Sequence, residues 1–144
     1  MNKMSTLIKD VYGMKEFSHV PLSTQLPEVS TQTIKGKRFY VTPEGKKYPS
    51  ITTVLSGRNS EGLVRWRQSV GNDVANNIMR TAAKRGTAVH TLVENYLNNE
   101  ELSTQDVLPT ALFTILKSEL DNINNIRIQE GGLYSDYYGV AGRV

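Results

Sequence analysis

Gly86-Thr87-Ala88-Val89-His90-Thr91-Leu92-Val93-Glu94-Asn95-Tyr96-Leu97 is the stretch from which the rest of the chain is read. At about 100° per residue, Val89, Leu92, Val93, Tyr96 and Leu97 cover one continuous apolar arc, the mark of an amphipathic helix. Thr91, Asn95 and Asn98 take its solvent side. His90 and Glu94 fall together at the edge of the arc, one turn apart. An imidazole and a carboxylate at a core–solvent boundary are held by packing yet open to a substrate. By spacing alone the simpler reading of such a pair is a helix-surface contact worth roughly 0.2–0.5 kcal/mol. With no third ligand nearby in sequence, it is not a zinc motif.

Upstream, Lys84-Arg85-Gly86-Thr87 reads as a junction, with Thr87 a candidate N-cap and a helix from about Ala88 to Leu97. An earlier helix is predicted from Leu63, Trp66, Val70, Val74 and Ile78, which recur at three- and four-residue steps. Arg65, Arg67, Asp73, Asn76, Asn77 and Arg80 lie off that stripe. Gly71 weakens its middle by roughly 1 kcal/mol relative to Ala, so a bend or break there is open. Downstream, Leu108, Leu112, Leu116, Leu120 and Ile123 form a third amphipathic stretch, with Pro109 in its first turn.

Farther out the pattern changes. Arg38-Phe39-Tyr40-Val41-Thr42 is β-prone, Pro43-Glu44-Gly45-Lys46 is a turn signal, and Lys47-Tyr48 can pair back as a small hairpin. Ser50 is suited to cap a short helix through Leu55, ended by Ser56-Gly57, against the β-branched character of Ile51, Thr52, Thr53 and Val54. Residues 1–32 lack periodicity and read as an irregular arm. After Asn125, Ile126, Ile128 and Leu133 suggest a strand, and Tyr137, Tyr138, Val140 and Val144 a second in which the sequence ends. No internal repeat or low-complexity segment is found.

The 144-residue chain is long enough for one ordinary core. It has no cysteine, which excludes disulfides and thiolate metal sites. No apolar run approaches the roughly 18 residues of a membrane span. Lys3, Lys9, Asp10, Lys15 and Glu16 break up any secretory apolar segment, so a cytoplasmic location is expected. The formal net charge is +3. Basic residues gather at Lys35, Lys37, Arg38, Lys46 and Lys47, and again at Arg58, Arg65, Arg67, Arg80, Lys84 and Arg85. Acids gather later, at Glu94, Glu100, Glu101, Asp106, Glu119, Asp121, Glu130 and Asp136. The simpler reading is a solvated surface; the sharper one is a phosphate-binding flank beside an acidic, metal-attracting centre.

Arg85-Gly86-Thr87-Ala88-Val89-His90 followed by Glu94-Asn95-Tyr96-Leu97 resembles the first motif of RecB-type nucleases of the PD-(D/E)xK superfamily. The likeness is to small exonucleases of marine tailed phages and, more distantly, to the mitochondrial genome maintenance exonuclease. Tyr48-Pro49-Ser50-Ile51-Thr52-Thr53-Val54-Leu55 resembles the family's entry segment, and Leu63 through Trp66 and Arg67, then Gly71, its next helix. Glu130, Leu133-Tyr134-Ser135 and Gly139-Val140-Ala141-Gly142-Arg143-Val144 resemble the strand pair that leads to its catalytic Asp. The resemblance spans roughly residues 36–144, behind an arm of residues 1–35.

The resemblance implies an α/β (α+β) chain: a small hairpin and three helices leading into the first two strands of a restriction-endonuclease-like sheet. It implies a Mg²⁺-dependent DNA exonuclease, with Mn²⁺ as a substitute, acting on single-stranded ends in the host cytoplasm if phage-encoded. His90 and Glu94 carry over as catalytic and metal-site residues. The family's catalytic Asp, which follows the Gly-Arg-Val stretch, and its (Asp/Glu)-x-Lys motif have no counterpart in this sequence, so the chain alone is expected to be inactive. Arg65, Arg67, Lys84 and Arg85 are the DNA-phosphate candidates, with an ordinary solvated junction the equal alternative for Lys84 and Arg85. Trp66 between two arginines could stack on bases, but its place on the apolar stripe favours a core role. Tyr134, Tyr137 and Tyr138 read as strand packing. The competing expectations are a non-catalytic DNA-binding protein and a phage interaction protein.

Overall fold

A computed structural model describes residues 13–57, 60–103 and 106–144. Arg58 of the basic cluster and residues 1–12 of the arm lie outside them. The described chain is mixed α and β, with helices and two small antiparallel sheets. Two compact units form: residues up to Val20 with Asn72–Arg127, and Pro21–Gly71 with Ile128–Val144. Among the described residues no helix is long and apolar enough to cross a membrane.

The second unit opens with strands β1 (Ser30–Ile34), β2 (Lys37–Val41) and β3 (Lys47–Pro49), in the order β1-β2-β3. β2 pairs antiparallel with both neighbours, setting Tyr40 opposite Thr31 on one side and Tyr48 on the other. The sequence predicted only the β2–β3 hairpin; β1 corrects the reading of residues 30–34 as irregular arm. Lys35 and Gly36 both take positive φ, at 50° and 74°, which gives the two-residue turn whose twist matches paired strands. The Pro43-Glu44-Gly45 turn forms as expected, closed by Gly45 N–H to Thr42 O at 2.9 Å.

Helix α1 (Ile51–Ser56) follows. The Ser50 hydroxyl accepts from the Thr53 N–H at 3.0 Å, the cap the sequence predicted, and it outweighs the β-branched run. Helix α2 (Ser60–Val70) has no buried residue. Gly71 ends it at φ +87°, giving its N–H to Arg67 O at 3.0 Å, a left-handed cap that glycine adopts without steric cost. The expected stripe from Leu63 to Ile78 is therefore cut in two. Leu63, Val74 and Ile78 are exposed and Trp66 is half-buried rather than core.

The unit closes with β4 (Gly132–Ser135) and β5 (Val140–Arg143), antiparallel and extended by mutual Gly131–Val144 backbone bonds. β5 packs on β2, β3 and α1, and a single parallel bridge joins Ala141 to Ser50. Both strands are shorter than predicted. Tyr137 and Tyr138 lie in the turn between them and are exposed, so they are not strand packing.

The first unit is two long helices and a strap. Helix α3 (Asn72–Leu97) runs unbroken for 26 residues and packs on α4 (Val107–Leu120). The predicted junction at Lys84-Arg85-Gly86-Thr87 does not exist. Ala82, Ala83, Lys84 and Arg85 are strong helix formers that carry the helix through Gly86, and Thr87 bonds back to Ala83 O at 3.0 Å instead of capping. On α4 the buried positions are Pro109, Phe113 and Lys117. The predicted leucine stripe is thus offset by one residue, leaving Leu108 and Leu116 exposed. Ile126, expected in a strand, pairs with His19 of the strap in an isolated parallel bridge, with Val20 N–H to Ile126 O and Ile126 N–H to Ser18 O both at 2.9 Å.

Candidate nucleic-acid interface and metal-site residues

Helix α3 places its functional candidates through its buried face. Leu92, Tyr96 and Leu97 are buried in one cluster with Phe17, Leu102 and Phe113, and Val93 packs against it. This is the predicted arc, and it fixes the rotation of the helix. His90 and Glu94 are exposed at its border, one turn apart. Packing on Tyr96 and Leu92 holds the backbone beneath them, so the pair is presented to solvent from a rigid base.

Lys84 and Arg85 occupy the same helix one to three turns earlier. With Asp106 and Pro109 of the α4 start they line a cleft of about 220 Å³. Lys84 is exposed and Arg85 half-buried. Asp106 precedes α4 without a side-chain capping bond, so the cleft holds two cations, one carboxylate and the positive end of a helix. Arg65, exposed, and Arg67, half-buried, lie on α2 in the other unit. Another cleft of the first unit, about 390 Å³, lies elsewhere, between the strap at Met14–Glu16 and Tyr96, Asn99 and Glu100.

A Mg²⁺ site needs several hard oxygen donors converging. Among the described residues no group of three or more His, Cys, Asp or Glu side chains could hold a metal ion. His90 and Glu94 are one carboxylate and one softer imidazole. The residues present therefore do not by themselves fit Mg²⁺, and no catalytic step is derived through it.

The network that sequence reading missed lies behind α3. The Tyr96 hydroxyl donates to Asp121 Oδ1 at 2.5 Å and accepts the Lys15 N–H at 3.2 Å. Lys117 Nζ donates to Asp121 Oδ2 at 2.8 Å and stands 5.3 Å from the centre of the Tyr96 ring. Lys15 Nζ reaches Asp121 O and Ile123 O at 2.6 and 2.7 Å. Burial would raise the Asp121 carboxyl, but hydrogen bonds from Lys117 and Tyr96 outweigh it and hold the group below its ordinary pKa. Burial would lower Lys117, and bonds to Asp121 and Tyr96 reverse that to a raised value. Tyr96 is pushed up by burial first and then by Asp121. The signal was a Lys–Asp pair at i, i+4 with the lysine one turn from Phe113.

In the second unit Asp136 ties two turns together, accepting from Lys46 Nζ at 2.9 Å and from the Tyr48 hydroxyl. Those bonds, the Tyr48 hydroxyl first, keep its carboxyl below the ordinary value.

Compared with protein families, curated proteins and solved structures, the chain matches none.

Proposed function

We propose that this chain is the DNA-handling part of a PD-(D/E)xK-type exonuclease. In this reading each unit offers phosphate contacts, Lys84 and Arg85 in one and Arg65 and Arg67 in the other, to single-stranded DNA ends. His90 and Glu94 are its contribution to a Mg²⁺ or Mn²⁺ site of a restriction-endonuclease-like fold. The observation that carries the reading is α3 itself. It sets an exposed His90–Glu94 pair on a packed base, with Lys84 and Arg85 upstream on the same helix.

The lack of a third donor among the described residues favours a second reading, a DNA-binding protein without catalysis. Paramagnetic Mn²⁺ separates the two. The first reading expects broadening of amide signals centred on Thr91 and Glu94, removed in Glu94→Gln. Broadening confined to other carboxylates would leave only the second. Neither reading expects hydrolysis of labelled single-stranded DNA by the 144-residue chain. Clean Mg²⁺-dependent degradation would show that the acids and lysine expected from the family are dispensable.

A further inference from the structure

We propose that Tyr137 and Tyr138, at the β4–β5 turn of the second unit, form a stacking platform for the bases of single-stranded nucleic acid. The two rings are 89% and 76% exposed. Large aromatic groups normally cover most of their surface when the fold allows it. Here they meet each other edge to face, with centroids 4.8 Å apart and planes at 89°, and their high exposure leaves ring surface open to solvent.

The turn is held in place. Gly139 N–H bonds Ser135 O at 2.9 Å, and Tyr138 N–H bonds the Ser135 hydroxyl at 3.2 Å. Asp136, next to the rings, is paired with the Lys46 ammonium at 2.9 Å and accepts a hydrogen bond from the Tyr48 hydroxyl. That tether brings the β2–β3 turn, with exposed Lys46 and Lys47, beside the tyrosine pair; Glu44 is the remaining acid of that turn. The unit as a whole carries nine Lys or Arg against five Asp or Glu, a net of +4, while the other unit has eight against nine, a net of −1. Exposed π-faces beside cations match a polyanion whose bases are unstacked and reachable. Duplex DNA keeps its base faces covered. The inference rests on the reading that the partner is DNA, and not on hydrolysis.

The test is fluorescence anisotropy of the full chain with labelled oligo-dT and with an abasic oligonucleotide of equal length. Wild type should prefer oligo-dT. The double variant Tyr137→Ala/Tyr138→Ala should lose at least about fivefold in affinity for oligo-dT, the lower end for the loss of one base stack. It should bind both oligonucleotides alike, with an unchanged salt slope because every cation that meets phosphate is still present. Tyr137→Phe/Tyr138→Phe should keep the preference. If wild type binds and the alanine variant binds oligo-dT equally well, the platform falls and the DNA reading stands. If wild type binds no DNA, both fall. If sedimentation shows self-association that the alanine variant abolishes, with DNA affinity unmoved, the pair is a contact between copies and the platform is overturned.

Discussion

In the first unit Phe17, Leu92, Tyr96, Leu97, Leu102 and Phe113 pack into one buried cluster, whereas in the second Tyr40 and Ala141 are the buried apolar side chains among the described residues. Fully burying a large apolar side chain contributes about 1.5–3 kcal/mol. A ladder hydrogen bond contributes about 0.5–1.5 kcal/mol net, because the unfolded chain bonds to water. The first unit therefore draws its stability from side-chain burial. The second depends on backbone pairing in short strands, and its two-stranded β4–β5 ribbon relies on the cover that β2, β3 and α1 give β5. The lesson is a division of labour: a rigid helix carries His90 and Glu94, and a softer, more basic unit carries the aromatic tip.

The sharpest break of that contrast is Phe113→Ala. Phe113 is wholly buried and meets Tyr96 edge to face at 5.5 Å. Its removal should cost about 3–5 kcal/mol, read as a shift in the urea midpoint. A cost under about 1 kcal/mol would mean that the first unit has no fixed core.

Next comes Asp121→Ala, which strands the buried Lys117 ammonium. The cost should be large, though below the ~3–5 kcal/mol of a fully buried pair because Asp121 is partly exposed. The pH dependence has a definite sign. Asp121 titrates below its ordinary value of 3.8 in the fold, so its contribution is present above that pH and lost as pH falls through the lower folded value. Lys117 is raised above 10.5, so its contribution is full below that pH and lost as pH rises through the higher folded value. Melting temperature against pH should fall off at both ends in wild type and less so in Lys117→Met. Parallel curves for the two would mean that the pair adds nothing to stability.

The smallest expected effect is in the second unit. Ser50→Ala removes the α1 cap and should cost about 1 kcal/mol. Hydrogen exchange should quicken at Thr53 and Val54 while the amides of Leu92 and Tyr96 stay protected. In wild type the β4–β5 amides should already exchange before those of α3. Equal protection in both units would erase the contrast.

What could be read from sequence was whatever local chemistry decides. The Ser50 cap, the Pro43-Glu44-Gly45 turn and the arc from Val89 to Leu97 each depend on residues within a turn or two, and each is found as predicted. What could not be read was settled by competition. Thr87 has capping chemistry, but the helix formers before it and the packing after it carry α3 straight through. Lys117 looks like a surface residue until Asp121 and Tyr96 supply its partners. Ser30–Ile34 has little hydrophobic alternation and becomes a strand because Lys35-Gly36 turns it against β2. Of the site, the exposure and adjacency of His90 and Glu94 were legible from helical periodicity. The exposure of Tyr137 and Tyr138 was not, because tyrosines so close to β-prone residues read equally as strand.

The most direct test of the DNA-handling reading is the slope of log affinity against log salt for a single-stranded oligonucleotide, in wild type and in the quadruple variant Arg65→Ala/Arg67→Ala/Lys84→Ala/Arg85→Ala. Wild type should bind measurably, and the variant's slope should be flatter by roughly 0.7 for each phosphate that it no longer neutralises. A wild-type chain that binds no DNA, or a quadruple variant with an unchanged slope, would contradict the reading.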